Sequence, residues 1–169
     1  MTQDSTSNAR QLSERKGIKQ TDQYVGFVLQ EEEYGVPILC VHEIIRYETL
    51  TRIPQTPIYI DGVLNLRGQV IPVINLRKKF GLPDQEIDRS TRIMVVDLGD
   101  RVVGMVVDAV SEVLLIGESE ISPPPPMGTQ VKADFISGMG KVGDHLMILL
   151  DLDKILSAEE KILQEEAMV

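Results

Sequence analysis

Short apolar runs alternate with glycine-containing polar turns along most of the chain. The runs are rich in Val and Ile, and this pattern is typical of β-strands joined by tight turns. Four pairs of runs have the spacing of hairpins. These pairs are 24–29 with 34–39, 60–66 with 70–76, 93–98 with 102–107, and 135–142 with 145–152. The pattern therefore predicts an all-β fold.

The chain also contains an approximate internal repeat. Residues 62–76 read GVLNLRGQVIPVINL, and residues 138–152 read GMGKVGDHLMILLDL. In both, a glycine precedes an apolar run, a turn with glycine follows, and a second apolar run ends in a polar residue and Leu. Self-similarity of this kind indicates duplicated structural units. We therefore predict two intertwined subdomains, from approximate repeats 24–80 and 92–156, within one domain that spans 23–156.

Each repeat has room for four or five short strands, which curl readily into a small barrel with few exposed edges. An amphipathic stretch follows the first hairpin of each repeat, with apolar residues at helical spacing. These residues are Ile38, Val41, Ile44 and Ile45 in the first repeat and Val107, Val110, Val113 and Leu114 in the second. We predict one or two helical turns in each stretch.

Prolines and polar segments mark the irregular parts of the chain. Pro72 interrupts a predicted strand, which indicates an edge position or a bulge. The four prolines 123–126 predict a stiff loop, and a ligand for a proline-recognition domain is the less favoured alternative. The polar residues 1–22 predict a disordered N-terminal tail. Residues 157–169 begin with the capping box SAEE, which predicts a C-terminal helix.

The composition narrows the possible functions. The chain has 169 residues and a formal net charge of −9, so it lacks the basic face that nonspecific nucleic-acid binding needs. Aromatic residues make up 4% and Trp is absent, which disfavours stacking platforms for bases. No apolar stretch approaches the ~20 residues of a membrane-spanning helix. We expect a soluble cytosolic protein without direct membrane contact.

Residues that could perform chemistry are few and separated. The lone Cys40 excludes an internal disulfide, and together with His42 and His145 it falls short of a zinc set. The glycines in 138–143 match G-x-G-x-x-G, but an apolar strand follows them where a dinucleotide site needs a helix N-terminus. We predict no enzymatic activity, no cofactor and no metal.

Arg67 distinguishes the two repeats, because the second repeat has Gly143-Asp144 at the corresponding turn. Two interpretations compete for this residue. It is either a solvated turn residue, which chemistry alone favours, or a contact to a carboxylate or carbonyl of a protein partner. The second interpretation has support because arginine has a planar, multidentate side chain and is common at binding hot spots.

The motif N-L-R-G-Q-V-I-P-V-I-N-L-R-K-K-F at 65–80 resembles the signature of the CheW-type chemotaxis coupling proteins. E-E-Y-G-V from Glu32, T-R-I-P from Thr51 and R-V-V-G-M-V-V-D-A-V-S-E-V from Arg101 occur in the order found in that family. The resemblance implies two small five-stranded β-barrel subdomains packed around a shared hydrophobic interface, with short helices and a C-terminal helix. It also implies a scaffold that joins the cytoplasmic tip of chemoreceptors to the regulatory domain of the histidine kinase CheA.

Motif matching with this family implies two binding sites. A receptor site in the groove between the subdomains would contain Val41, Glu43, Ile44, Gly62 and Arg67. A kinase site on the second barrel would contain Thr91, Gly104, Val110 and Val113. Gly62 and Gly104 each have an equally good structural explanation, because a side chain at that place in the strand would clash. Val41 and Val110 have the alternative interpretation of core residues.

Three other functions compete with a chemotaxis adaptor. A CheW-like adaptor of another pathway, such as surface motility, would share the same motifs. A barrel that binds a small molecule or nucleic acid is disfavoured by the acidic charge and the scarcity of aromatic residues. An unrecognised hydrolase is disfavoured because no nucleophile constellation is visible. If the leading interpretation holds, the protein lies at the inner face of the membrane through receptor arrays.

Overall fold

The computed structural model describes residues 22–124 and 133–156. Within them the strands are β1 (Gln23–Leu29), β2 (Glu32–Pro37), β3 (Val41–Arg46), β4 (Ile60–Leu66), β5 (Gln69–Asn75), β6 (Arg92–Asp97), β7 (Val102–Val107), β8 (Ala109–Leu115), β9 (Ile121–Ser122), β10 (Ile136–Val142) and β11 (His145–Leu150). Two short helices are α1 (Leu76–Lys79) and α2 (Leu152–Ile155). Turns of 3-10 helix cover Ile38–Cys40, Glu118–Glu120 and Ala133–Phe135. The predicted C-terminal helix, nearly all of the predicted tail and part of the proline run lie outside the described residues.

The strands form two sheets. The six-stranded sheet has the order β8-β1-β2-β11-β10-β9, and the five-stranded sheet has the order β3-β6-β7-β5-β4. All four predicted hairpins are confirmed as antiparallel pairs. One parallel pair lies inside each sheet, β2 with β11 in the first and β5 with β7 in the second.

The two strand orders follow the sequence repeat. In the repeat, β1, β2, β3, β4 and β5 correspond to β6, β7, β8, β10 and β11. Replacing each strand of the order β3-β6-β7-β5-β4 by its counterpart yields β8-β1-β2-β11-β10, which is the six-stranded sheet without β9. Both sheets therefore share one plan, and each contains strands from both repeats. The chain leaves the six-stranded sheet after β2 and returns to it after β7.

The main core lies between the two sheets, because their central strands are apolar on both faces. In β6, Met94 and Val96 belong to the core shared by the sheets, while Ile93 and Val95 belong to a second cluster within the five-stranded sheet. The alternating residues of β11 divide in the same way between the shared core and a cluster in the six-stranded sheet. Complete burial of each such side chain contributes about 1.5–3 kcal/mol. The predicted hydrophobic interface between two subdomains is confirmed.

The prediction of helical turns after each first hairpin is wrong. The stretches form the edge strands β3 and β8, preceded in the first repeat by the 3-10 turn Ile38–Cys40. Each edge strand contains a bulge, at His42 in β3 and between Val110 and Val113 in β8. An extra residue breaks the strict alternation of a strand and makes its apolar spacing resemble that of a helix. The many β-branched residues in these stretches favour strands, in agreement with the structure.

The mostly β class is confirmed, but the sheets are not closed barrels. β3 and β4 are the outer strands of the five-stranded sheet, and β8 and β9 are the outer strands of the six-stranded sheet. In the five-stranded sheet one isolated bridge joins the chain after β3 to β4, through backbone hydrogen bonds of 3.0 and 2.8 Å between Thr51 and Val63. The sheet is therefore strongly curled and links its two edges at this bridge.

Pro72 lies inside β5 and not at an edge of the sheet. Its partner across the β4–β5 ladder is Val63, which directs both its N–H and its C=O towards Thr51 on the other side. Val63 therefore needs no backbone hydrogen bond from Pro72, which has no N–H to donate. The parallel ladder to β7 begins one residue later, at Val73. A bulge between Ile60 and Gly62 lies in the neighbouring strand β4, so the predicted irregularity is in the partner strand.

Candidate functional site

The curl of the five-stranded sheet brings Arg67 onto Glu43 of the opposite edge strand. Arg67 occupies the β4–β5 turn with φ 51°, followed by Gly68 with φ 86°. Two successive positive φ angles are the geometry of the tight hairpin turn that favours glycine. The Gly68 N–H donates to the Asn65 side-chain oxygen at 2.9 Å, which fixes the turn. Arg67 Nη2 then donates to Glu43 Oε2, and the Arg67 side chain stays 67% exposed.

Two apolar residues of β3, Val41 and Ile44, lie before and after Glu43 in the strand and face the side of the sheet that carries the shared core, opposite to Glu43. Ile44 is 39% exposed and therefore available to a partner. Val41 is half-buried and packs against the shared core, which agrees with its alternative interpretation as a core residue. β3 is an edge strand that pairs with β6 on one side, and on the other side Arg67 of the β4–β5 turn reaches its Glu43. The structure therefore places Glu43, Ile44 and Arg67 at one edge of the sheet, with the ion pair on one face of β3 and Ile44 and Val41 on the other.

Gly62 lies behind this edge and is buried. Its φ is +152°, and a Cβ placed on it would lie 2.5 Å from the Thr51 carbonyl oxygen and 3.0 Å from Leu50 Cβ. Both the backbone angle and the contacts exclude a larger residue. The structure therefore supports the structural explanation of Gly62, which keeps the segment after β3 against β4.

The four residues predicted for the kinase site do not form one surface. Thr91 is buried at the start of β6, where its hydroxyl accepts from the Asp88 N–H at 3.0 Å. Gly104 is buried inside β7, and a Cβ on it would lie 2.9 Å from Ile93 Cγ2. Gly104 belongs to the five-stranded sheet and Thr91 directly precedes its strand β6, whereas Val110 and Val113 lie on β8 of the other sheet.

The β8 residues differ in exposure. Val110 is half-buried against the shared core, and Val113 is 54% exposed. Leu115 on the same strand is 43% exposed, so two apolar side chains reach the surface near the end of this edge. Among the described strands β8 pairs only with β1, so it is an outer strand of its sheet.

A cleft of about 470 Å³ lies between the segment after β3 and the linker before β6. Asp61 is held there by Asn75 Nδ2 and Lys78 Nζ, both at 3.0 Å. Burial raises the pKa of Tyr47, and the charge of Asp61 raises it further. The residues that line this cleft include no Cys, His or Ser.

The histidines and the cysteine do not meet in a catalytic arrangement. His145 Nε2 lies 2.9 Å from Glu33 Oε2, and His42 Nε2 lies 4.0 Å from Glu43 Oε2. Burial raises the pKa of the Cys40 thiol, and nearby Asp side chains raise it further, so the reactive thiolate is disfavoured.

In the part of the chain that the structure describes, no group of three His, Cys, Asp or Glu could hold a metal ion. No helix in that part is long and apolar enough to span a membrane.

Arg77 and Asp108 form a part-buried ion pair that the sequence pattern does not predict. Arg77 follows β5 and Asp108 follows β7, and these strands are parallel neighbours, so both residues emerge at the same end of the sheet. Burial raises the pKa of Asp108, but hydrogen bonds from Arg77 and the Gln30 N–H outweigh it and hold the pKa below its ordinary value. The hydrogen bond to Asp108 raises the pKa of Arg77. The strand pairing would have revealed this contact, but the sequence alone does not supply that pairing.

These features define a class of protein. Two sheets of one plan share a rigid core, and each has an open edge strand with exposed apolar side chains, which suits a scaffold that binds other proteins. The family model described as the CheW-like domain matches residues 23–160. The chain belongs to the CheW-like family.

Known relatives resemble the chain over most of its length. It is 41% identical to the chemotaxis protein CheW of Klebsiella aerogenes over 88% of this chain and 90% of that protein. It is 37% identical to the chemotaxis protein CheW of Helicobacter pylori over 89% of this chain and 93% of that protein. The crystal structure of the scaffolding protein TtCheW from Thermoanaerobacter tengcongensis matches with a TM-score of 0.75 and 39% identity. That match covers 81% of this chain and 88% of the other.

Proposed function

We propose that this chain is a non-catalytic chemotaxis adaptor that couples chemoreceptor cytoplasmic tips to the histidine kinase CheA in cytoplasmic signalling arrays at the inner face of the membrane. The observation that carries the proposal is the presence of two separate edge strands, β3 and β8, on two sheets that share one packed core. The similarity to CheW proteins supports it further. An adaptor of another receptor–kinase pathway, such as surface motility, would use the same geometry and is the second candidate.

The β3 edge is the proposed receptor surface. Glu43 and Arg67 form an exposed ion pair, and pairs of this kind contribute only about 0–1 kcal/mol to folding. Its place at the edge therefore fits recognition better than stability. The planar Arg67 side chain keeps donors for a carboxylate or carbonyl of the receptor, and Ile44 offers exposed apolar area on the other face of the same edge strand. Val41 packs against the shared core beneath this edge, and Gly62 allows the segment after β3 to lie against β4.

The β8 edge is the proposed kinase surface, with Val113 as its exposed contact and Val110 beside it. Thr91 and Gly104 enter this proposal only as residues that shape the protein, because both are buried. A larger side chain at Gly104 would displace Ile93 or Val73 and disturb the five-stranded sheet. Any effect of that residue on kinase binding would therefore be transmitted through packing.

Two surfaces on one body explain how an adaptor works without catalysis. Simultaneous docking raises the effective concentration of the receptor and the kinase for each other. A conformational change in the receptor then biases the kinase if the two binding free energies are coupled through the core. The shared core between the sheets supplies a continuous packed connection for such coupling.

The test is a three-component binding experiment with a chemoreceptor cytoplasmic hairpin, the CheA regulatory domain and this chain. We expect each partner to bind alone and both to bind together in a ternary complex, measured by analytical ultracentrifugation. Competition between the two partners for one surface would contradict the two-edge proposal. Binding to neither partner, but to the receptor and kinase of a surface-motility pathway, would favour the second candidate.

A further inference from the structure

One residue, Asp108, carries the chain from the five-stranded sheet back to the six-stranded sheet. It lies between the end of β7 and the start of β8. Its N–H donates to the Val28 carbonyl at 3.1 Å, and its carboxylate accepts from the Gln30 N–H at 2.8 Å. Val28 belongs to β1 and Gln30 to the β1–β2 turn, so Asp108 is fastened to the six-stranded sheet on this side.

The same carboxylate is held from the five-stranded sheet by Arg77. Arg77 lies in α1, directly after β5, and is 8% exposed. Its Nε donates to Asp108 Oδ1 at 2.8 Å, and its Nη2 donates to Asp108 Oδ2. Its Nη1 donates to the Pro83 carbonyl at 2.7 Å, which orients the guanidinium. We call Arg77, Asp108 and the Gln30 N–H the crossover clamp.

The crossover clamp lies close to the β8 edge along the chain. Ala109 pairs with Val28 and Val110 with Phe27, so β8 begins immediately after the clamp. A connection of one residue has little freedom to absorb a displacement. Since β1 is the strand that pairs with β8, the clamp and this one ladder together orient β8 relative to the five-stranded sheet.

The other crossover differs. The chain passes from β2 to β3 through the 3-10 turn Ile38–Cys40, which contains no charged residue. Glu43 and Arg67 are held by each other and by the β4–β5 turn, and neither contacts the clamp through a hydrogen bond of the described residues. A disturbance at the clamp should therefore reach the β8 edge before the β3 edge.

We propose that Arg77 and Asp108 are positioning residues for the kinase surface, which orient β8 without touching the partner. The inference rests on the proposed function, because it assigns the β8 edge to the kinase. It predicts a selective effect: loss of the clamp should weaken kinase binding and leave receptor binding unchanged. A clamp that only stabilised the fold would affect both surfaces alike.

The test compares Asp108→Asn and Arg77→Lys with the wild type. Asp108→Asn removes the charge and keeps the shape, while Arg77→Lys keeps the charge and removes the planar fork. Arg101→Lys is the matched control, because Arg101 is similarly buried at the opposite end of β7 and bonds to the Leu156 carbonyl. Circular dichroism and thermal unfolding identify the temperature at which all variants are folded.

Isothermal titration at that temperature should show about tenfold weaker binding of the CheA regulatory domain for both clamp variants, with the receptor-hairpin Kd within about twofold of wild type. The Arg101→Lys control should match the wild type in both assays. Equal weakening of receptor and kinase binding, or no change in kinase binding, would overturn the inference.

Hydrogen exchange supplies a readout that needs no partner. In Asp108→Asn, backbone amides of β8 should exchange faster than in the wild type, while those of β3 should change little. Equal acceleration in both strands would overturn the positioning role. If the wild-type protein binds neither partner, but Asp108→Asn still accelerates exchange in β8 and not in β3, the proposed function fails while the positioning of β8 by the clamp stands. If Asp108→Asn does not fold, Arg77→Lys carries the same comparison.

Discussion

The β3 and β8 edges occupy the same place in the repeat and the same outer position in the two sheets, yet their surfaces differ. Glu43 on β3 corresponds to Glu112 on β8. Glu43 bonds to Arg67 from the β4–β5 turn, whereas the corresponding β10–β11 turn carries Gly143-Asp144 and no arginine. The β8 edge therefore combines an exposed acid with exposed apolar side chains, without the covering cation.

This difference shows how a duplicated scaffold carries two distinct edges, which we propose as the two partner surfaces. The strand order and the bulged edge strand are kept in both halves, so each sheet retains an open edge. Changing one turn residue alters the charge and the hydrogen-bond donors at that edge without altering the strands. Specificity for two partners then follows from side chains on a common backbone plan.

The largest expected effect concerns the glycines at equivalent positions in the central strands. Gly104→Ala should lower the free energy of unfolding by about 1–3 kcal/mol, because its Cβ would meet Ile93 Cγ2 at 2.9 Å and Val73 Cγ2 at 3.2 Å, and both neighbours are stiff β-branched residues. Gly35→Ala should cost less, because the nearest atom is Sδ of the flexible Met147. Urea unfolding measures both; a larger loss for Gly35→Ala would contradict the packing argument.

Reciprocal substitutions at the two edges should separate the partners. Val113→Asp should weaken kinase binding about tenfold or more, and Ile44→Asp should weaken receptor binding similarly, because each removes an exposed apolar contact and adds a desolvation cost. Each variant should keep the other affinity, as measured by titration calorimetry with both partners. If either substitution weakened both affinities alike, the division between the edges would be wrong.

Arg67→Glu should affect binding more than stability. It replaces the attraction to Glu43 by repulsion, so we expect receptor binding to fall about tenfold. The free energy of unfolding should change by less than about 1 kcal/mol, because the side chain is 67% exposed. The control is Arg89→Glu, an exposed arginine in the linker, which should leave receptor binding unchanged. Unfolding of Arg67→Glu would instead make Arg67 a structural residue.

The smallest expected effect is that of pH near neutrality on the free energy of unfolding that the crossover clamp contributes. The folded pKa of Asp108 lies below its ordinary value of 3.8, so its contribution is fully present above that value and is lost as the pH falls through the folded pKa. The stability gap between wild type and Asp108→Asn should therefore stay constant from neutral to mildly acidic pH and shrink at more acidic pH. Urea unfolding as a function of pH measures this gap; a gap that shrank above pH 5 would contradict the direction of the shift.

Local patterns predicted some elements well and others poorly. The four hairpins follow from apolar runs and Gly-containing turns, whose geometry depends on neighbouring residues alone. The stretches after the first hairpins were misassigned because a bulge at His42 and another in β8 disturbed the alternation that identifies a strand. Recognition of the CheW-like family from separated motifs is confirmed by the family model and the relatives.

The candidate site was partly predictable. Val41, Glu43, Ile44 and Arg67 do lie on or beside one edge, although their binding role stays a prediction. Gly104 and Thr91 are buried, and the motif match alone did not distinguish a buried residue from a contact. The distinction requires knowing which faces of a strand are covered, and in the central strands both faces are.

The sequence by itself determined the mostly β class, the hairpins, the duplication and the family, because these depend on short-range spacing and on motifs read along the chain. Only the tertiary structure decided which strands the chain exchanges between the sheets, that the sheet curls until Arg67 reaches Glu43, and that Arg77 binds Asp108. These pairs are far apart in sequence, and their proximity arises from strand pairing across the repeats. The physical reason is that the central strands bury both faces, so the position of each edge is set by packing across the whole protein.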